Sequence, residues 1–266
     1  MTICISAIGI NNTEEVIVFA TDHMISLSNT GPQFEHAIAK FKKIDGNTFV
    51  MFSGTTLLFE EILAKCDFKD KDFFQIAAEI HKSMAELRFE KIQREILLPA
   101  NINLEGFNEL LRQKVENDFV FQILDKSTKA TLNSICLLVG FSEDKKAQMC
   151  EITEFTMTQL RDLNFGAIGS GSPQAINALL FQKHSKKDSL PVTLYNVFKA
   201  KRNSEVSVGV GKETDLIILD HKGLKNVGES VCCKLEEMYQ GEFKLGKEHS
   251  NLKTIEQLVN GVEYEV

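Results

Sequence analysis

The residues best placed to do chemistry in this chain are Thr2 and three polar positions near the ends of predicted strands. A small second residue permits removal of Met1, and the freed amine, with a pKa of about 8, could take the proton of the Thr2 hydroxyl. Such a site also needs a cation, a carboxylate that holds the cation, and an N–H for an oxyanion. Asp22, Lys40 and the Ser53-Gly54 pair could supply them. The set indicates nucleophilic catalysis, although Thr also suits an ordinary strand start.

Other kinds of site fit the sequence less well. The glycine-rich stretches 169–175 and 209–214 resemble phosphate loops, but the first has no Lys after its last Gly and the second has Glu213 where Ser or Thr is required. The histidines are scattered without zinc-ligand spacing, and no G-x-S-x-G motif occurs. The cysteines form no C-x-x-C pair and are predicted to be reduced. We therefore expect no metal and no cofactor.

Composition limits the class of protein. The chain has 266 residues, 43% of them apolar, and a net charge of −7 without a basic face, which argues against nucleic-acid binding. No signal peptide and no apolar run of membrane-spanning length occur. These features predict a cytoplasmic protein that does not insert into a membrane.

The strands and helices that must position the site are predicted to follow one another in blocks. Periodicity predicts a hairpin of strands over 2–10 and 15–22, and then a second pair of strands formed by AIAKFKKID and residues 47–54. Helices follow, then two strands over 132–141 and 147–153 joined by a turn, then two helices and a strand over 214–219. Ser172 is predicted to cap the helix that opens with Pro173, and one helix is predicted over about 104–124. Blocks of strands that are apolar on both faces predict a layered α+β fold with an internal sandwich of sheets.

Four stretches together resemble the proteasome β-type subunits, which are N-terminal nucleophile (Ntn) hydrolases. The resemblance covers roughly residues 2–80 and 130–220 and is closer to bacterial and archaeal proteasome-like proteins than to the core proteasome. The Gly-Ser-Gly-Ser-Pro run between a strand and a helix is its most specific part. The stretches are TICISAI with VIVFATD, AKFKKID with FVMFSG, GAIGSGSPQA, and SEVSVGVGKETDLIIL.

The resemblance implies roles for residues of the site. Thr2 matches the nucleophile, Asp22 the acidic partner of the catalytic lysine, and Lys40 that lysine. Lys42 is the rival for the lysine role, because it points to the same face of a strand as Lys40. Gly54 matches the glycine of the oxyanion hole.

Further positions follow from the same match. Ser170 matches the serine that contacts the N-terminal amine, and Ser207 matches a second serine of that site. The family's Asp before the second serine is absent, and either Asn203 or Glu205 could take its place. The residues expected to line the pocket for the substrate side chain are Ile38, Lys42, Phe52 and Thr56.

The resemblance implies a four-layer αββα sandwich, the Ntn-hydrolase fold. We expect a single domain over 2–266, with a helical insertion at about 97–130 and a C-terminal extension at about 221–266. The implied activity is that of a threonine peptidase or amidohydrolase, which acts on peptides or other amides through an acyl-enzyme on Thr2 after removal of Met1. The alternatives are acyl transfer or peptide ligation through the same intermediate, and a non-catalytic proteasome-like structural subunit. The resemblance also implies a homo-oligomer.

Overall fold

The computed structural model describes residues 2–26, 33–35, 39–113 and 117–247 of the chain. These residues form an α+β fold, as the sequence predicts. The strands are β1 (Ile3–Asn11), β2 (Glu14–Asp22), β3 (Met24–Ser26), β4 (Gln33–Glu35), β5 (Phe41–Asp45), β6 (Thr48–Ser53), β7 (Ile135–Phe141), β8 (Ala147–Ile152), β9 (Met157–Gln159), β10 (Phe165–Gly169), β11 (Thr214–Asp220) and β12 (Gly223–Asn226). The helices are α1 (Thr56–Ala64), α2 (Phe73–Ile92), α3 (Leu104–Arg112), α4 (Asp118–Lys129), α5 (Ser172–Phe181), α6 (Leu190–Ser204) and α7 (Glu229–Lys247).

Most strands belong to two antiparallel five-stranded sheets. The first has the order β10-β1-β2-β11-β12 and the second the order β5-β6-β7-β8-β9, while β3 pairs with β4 alone. Three hairpins predicted from the sequence, β1–β2, β5–β6 and β7–β8, are confirmed by their antiparallel pairing. Strand β1 therefore lies inside its sheet, with β2 on one side and β10 on the other.

The two sheets pack on each other and each carries helices. Alternate residues of β1 and β2, such as Cys4, Ile8 and Phe19, are buried with Met51 and Leu137 of the second sheet. On the far side of the second sheet, α1 and α2 cover a further apolar cluster. Helices α5 and α6 pack on β1 of the first sheet. Strands covered on both faces are apolar at successive positions, which explains the sequence of β1.

Two local predictions are wrong. The single helix expected over 104–124 is two helices, because the Asn117 side chain accepts a hydrogen bond from the Phe119 N–H at 2.8 Å and begins α4 as an N-cap. Ser172 is not the N-cap of α5: Gly171 holds that position and Ser172 is the first helical residue.

The chain divides into two compact units after Asn226. The first unit holds both five-stranded sheets, and the described part of the second is the single helix α7. The extent of the domain, the insertion and the extension stay predictions. Within the described ranges, no helix is both long and apolar enough to cross a membrane.

Candidate active site

Three side chains that are distant in sequence meet at one end of the first sheet. The Thr2 hydroxyl donates to Oδ1 of Asp22 at 2.5 Å. The Lys40 ammonium donates to the same Oδ1 at 2.7 Å, to the Met24 carbonyl oxygen at 2.5 Å, and to Oγ1 of Thr2. These three bonds use all three donors of the ammonium. The structure therefore brings together Thr2, Asp22 and Lys40, as the sequence predicts.

Strand pairing places these residues at the same edge. Cys4 of β1 pairs with Thr21 of β2, so that Thr2 and Asp22 both lie at this edge of the sheet. Lys40 reaches them from the segment before β5, and its carbonyl oxygen accepts a hydrogen bond from the Phe52 N–H of β6 at 3.1 Å. The lysine thus links the two sheets.

Asp22 is fully buried and receives several donors besides the two side chains. The Ile3 N–H donates to its Oδ1 at 3.0 Å, and the N–H groups of Met24 and Gly211 donate to its Oδ2 at 3.3 and 2.8 Å. Burial raises the pKa of this carboxyl, but the Lys40 charge and the hydrogen bonds from Gly211, Lys40 and Thr2 outweigh burial and hold the pKa below its usual value. Asp22 is therefore a carboxylate at neutral pH.

Gly169 lets β10 approach the nucleophile candidate closely. It pairs with Ile3 and has a φ of +105°, and a Cβ added here would lie 2.2 Å from the Thr2 carbonyl oxygen. The next residue, Ser170, has its hydroxyl 3.4 Å from that oxygen and 3.2 Å from the Val208 carbonyl oxygen. The predicted Ser170 therefore lies beside the Thr2 backbone, where it can donate to one of these two oxygens at a time.

Gly54 follows β6 with a φ of +141°, and an added Cβ would lie 2.3 Å from Oγ of Ser134. Only glycine fits this turn without strain. Phe52, two residues earlier, has its carbonyl oxygen 3.6 Å from the Cys4 sulfur in β1. The end of β6 thus lies over the start of β1, where the predicted oxyanion glycine would be needed.

Ser207 is less engaged than predicted. It lies in the loop between α6 and β11, and its hydroxyl is buried without a hydrogen-bond partner among the described residues. Of the two candidates for the missing acidic residue, Glu205 accepts hydrogen bonds from Lys201 at 2.7 Å and Arg202 at 2.5 Å. These bonds hold the Glu205 carboxylate at the end of α6.

The predicted pocket residues have different environments. Lys42 is 44% exposed and pairs with Glu60 at 2.6 Å, so it is directed to α1 and not to Asp22. Phe52 is buried and stacks on Phe59, with ring centroids 4.6 Å apart. Thr56 begins α1, and Ile38 lies outside the described residues. The pocket assignment stays a prediction.

Sequence reasoning missed three further contributors to the site. These are the Met24 carbonyl, the Gly211 N–H, and the buried Lys201, which donates to the Gly211 carbonyl oxygen at 2.8 Å. A backbone group carries no residue-type signal. The stretch 209–214 resembles a phosphate loop in sequence, although its place directly before β11 could have marked it as a neighbour of Asp22.

Cys4, two residues after Thr2, also carries a nucleophilic side chain. Burial raises the pKa of its thiol to about 12, so that it stays protonated at neutral pH and does not compete as a nucleophile. Among the residues the structure describes, no group of three or more His, Cys, Asp or Glu side chains could hold a metal ion.

Comparison with known proteins shows the fold but not a family. No family model matches the chain, and no curated protein matches it. A solved structure of an Anbu (Gly-1) mutant from Hyphomicrobium sp. strain MC1 is similar over 100% of both chains, with 12% identity and a TM-score of 0.59. Anbu (ancestral beta-subunit) from Yersinia bercovieri is similar over 100% of this chain and 99% of its own, with 10% identity and a TM-score of 0.61.

These findings correct the sequence-based assignment to the proteasome β-type subunits. That assignment is wrong as a statement of family, because no family model matches and the structural neighbours are only 10–12% identical. The comparisons thus show that the chain shares its fold with the Anbu structures, and they show no more than the fold.

Proposed function

We propose that this protein is an N-terminal threonine hydrolase of amide bonds. The observation that carries the proposal is the buried convergence of the Thr2 hydroxyl, the Asp22 carboxylate and the Lys40 ammonium within hydrogen-bonding distance. The packing of two antiparallel sheets between helices, together with the fold of the Anbu neighbours, supports the Ntn-hydrolase fold for this chain.

The charges suit activation of a hydroxyl. The Lys40 ammonium, donating to Oγ1 of Thr2, stabilises negative charge that develops there during attack. Asp22 holds this ammonium in place through an ion pair at 2.7 Å. Neither of these groups has to take the proton, because a free Thr2 amine with a pKa of about 8 can do so.

The proposed reaction has two steps. Thr2 Oγ1 attacks the substrate carbonyl while its proton passes to the Thr2 amine, and the Gly54 N–H receives the oxyanion. The C–N bond then breaks and the amine product leaves with the proton, so that an ester remains on Thr2. Water hydrolyses the ester, releases the acid product and restores the hydroxyl. Capture of the ester by another amine would give acyl transfer.

The mechanism requires a free amino group on Thr2, so the bond between Met1 and Thr2 must be cut. Ser170 lies close enough to the Thr2 backbone to orient such an amine. The Ser207 hydroxyl is buried without a hydrogen-bond partner among the described residues, and its role at the amine stays a prediction from the resemblance.

Hydrolysis of a set of fluorogenic peptide amides tests the proposal. The expected result is turnover by the full chain with a free Thr2 amine, and loss of turnover in Thr2→Ala. Thr13→Ala, which makes the same change at an exposed position in the β1–β2 turn, is the control and should match the unchanged chain. Equal turnover by Thr2→Ala and the unchanged chain would refute the proposal.

Two accompanying expectations also remain proposals. We expect the chain to assemble with copies of itself, and one structural neighbour, which is called an ancestral beta-subunit, supports this expectation. A monomeric mass by light scattering would refute the assembly. The cytoplasmic location stays a prediction.

A further inference from the structure

Lys201 is the most unexpected charged residue outside the Thr2 site. Its side chain is fully buried on the last turns of α6, whereas lysines are almost never fully buried unless paired. The ammonium donates to Oε1 of Glu205 at 2.7 Å and to the carbonyl oxygens of Gly211 and Lys212 at 2.8 and 2.7 Å. All three donors are used, and two of them hold the backbone of the segment before β11.

The same segment reaches the candidate active site. Gly211 donates its N–H to Oδ2 of Asp22 at 2.8 Å, while its carbonyl oxygen accepts from Lys201. One residue is thus held on two sides, by the ammonium from α6 and by the carboxylate of β2. Lys212 is held more firmly, because its carbonyl oxygen also accepts from Arg202 at 3.0 Å.

We propose that Lys201 is a positioning residue for the Thr2 chemistry: it fixes the carbonyls of Gly211 and Lys212 so that the Gly211 N–H stays on Asp22. The inference rests on the proposed function, and it extends the site to α6. Lys201 does not touch the reacting atoms. It acts through Gly211, whose hydrogen bond favours the ionised form of Asp22.

The electrostatics agree with this role. Burial lowers the pKa of Lys201, while the neighbouring Glu205 and, more weakly, Asp22 act to raise it. The attraction between Lys201 and Asp22 favours the charged form of both groups. The carboxylate therefore has the Lys40 ammonium bonded to it directly and the Lys201 ammonium behind Gly211.

Other ionisable groups surround this arrangement and could affect its pH dependence. His23, next to Asp22, has Nδ1 at 3.1 Å from Oε2 of Glu213 and Nε2 at 2.8 Å from Oδ2 of Asp215. Lys40 is bonded to Asp22, and Glu205 is bonded to Lys201. Arg202 is bonded to Glu205, while Glu213 and Asp215 lie against His23. The test leaves all of them unchanged.

The test compares Lys201→Met with Lys199→Met in the full chain. Lys199 lies two residues earlier in α6, with its ammonium 4.5 Å from the ring centroid of Tyr195, so it controls for the loss of a lysine from this helix. The rate of acylation of Thr2 is measured at pH 7 over a range of β-lactone concentrations, and circular dichroism checks the fold. Hydrogen exchange of the segment 205–214 is followed by mass spectrometry.

Lys201→Met should lower the acylation rate at pH 7 by about 10-fold or more, because Asp22 and Lys40 lose their fixed geometry. The loss should fall on the acylation rate at saturating lactone and leave the half-saturating lactone concentration unchanged, because Lys201 does not touch the substrate. Lys199→Met should leave both quantities unchanged. An unchanged rate, or a change in the half-saturating concentration alone, would overturn the positioning role.

A second variant covers the case in which Lys201→Met does not fold. Gly211→Pro leaves Lys201 in place and removes the N–H that donates to Asp22. It should likewise lower the acylation rate at saturating lactone, and an unchanged rate would overturn the inference.

Hydrogen exchange separates failure of this inference from failure of the proposed function. If the unchanged chain is not acylated at Thr2, the proposed function fails, whatever Lys201 does. Faster exchange of 205–214 in Lys201→Met than in Lys199→Met would then still show that Lys201 holds Gly211. Equal exchange would refute that contact as well.

Discussion

Lys40 and Lys42 are two residues apart, yet they lie in opposite environments. Lys40 is 13% exposed and bonded to Asp22, which is fully buried. Lys42 is 44% exposed and bonded to Glu60, itself 59% exposed. Both are close ion pairs, at 2.7 and 2.6 Å. The difference teaches that distance alone does not separate the pair proposed for catalysis from a surface pair: the Lys40–Asp22 pair differs in its burial and in its third partner, the Thr2 hydroxyl.

The largest expected effect is the difference between the two lysines in their contribution to the rate of Thr2 acylation. Lys40→Ala should lower the rate of Thr2 acylation by about 10³-fold, because the charge beside Oγ1 is lost. Lys42→Ala should change it by less than about 3-fold, because its charge is screened by solvent. The rates are measured by mass spectrometry with a β-lactone. A larger loss of acylation rate in Lys42→Ala than in Lys40→Ala would contradict the role proposed for Lys40.

The next effect concerns stability. Asp22→Asn should lower the free energy of unfolding by about 3–5 kcal/mol, because it leaves the Lys40 ammonium without its counter-charge in a mostly buried place. Glu60→Gln is the matched change in the exposed pair and should cost less than about 1 kcal/mol. Urea unfolding at pH 7 measures both. Equal losses would show that burial does not distinguish the pairs.

The pH dependence of the free energy of unfolding tests the buried Lys40–Asp22 pair further. Because the pKa of Asp22 is lowered in the folded state, its stabilising contribution is present above the unfolded value of about 3.9 and is lost as pH falls through the folded value. The stability difference between the unchanged chain and Asp22→Asn should therefore shrink below about pH 4. Urea unfolding at several pH values checks this. A difference that grows on acidification would contradict the assigned direction.

The smallest effect is the coupling within the exposed pair. A double-mutant cycle of Lys42→Ala and Glu60→Ala should give about 0–1 kcal/mol at low salt, and less in about 1 M salt, because both partners are solvated. The free energies come from urea unfolding of the four proteins. A coupling above about 2 kcal/mol would show that this pair is not a simple surface contact.

Much of the fold follows from sequence pattern, because hairpins and helix starts depend on near neighbours. The β1–β2 hairpin is an example: two apolar runs flank the turn chemistry of 11–14. The start of α4 at Asn117 was missed, since the apolar pattern continues through it and only the cap marks the break. Local signals thus predict elements better than their ends.

The candidate site likewise has a part that the sequence predicts and a part that it does not. Thr2, Asp22 and Lys40 were predicted together because their types match a known chemistry. Gly211 meets Asp22 across 189 residues of sequence through a backbone N–H, which no residue type signals. Lys201 near the end of a helix is expected in solvent, where it would favour the helix dipole, and only the packing of the segment before β11 buries it.

The measurement that tests the central claim most directly is the intact mass of the full chain before and after treatment with a β-lactone, followed by peptide mapping. A lactone acylates a hydroxyl by ring opening, so one whole probe mass is added. The account predicts a chain that begins at Thr2 with a free amine, one adduct on the Thr2 hydroxyl, and none in Thr2→Ala. A Thr2-dependent hydrolase that keeps Met1, or an adduct on any other residue alone, would contradict it.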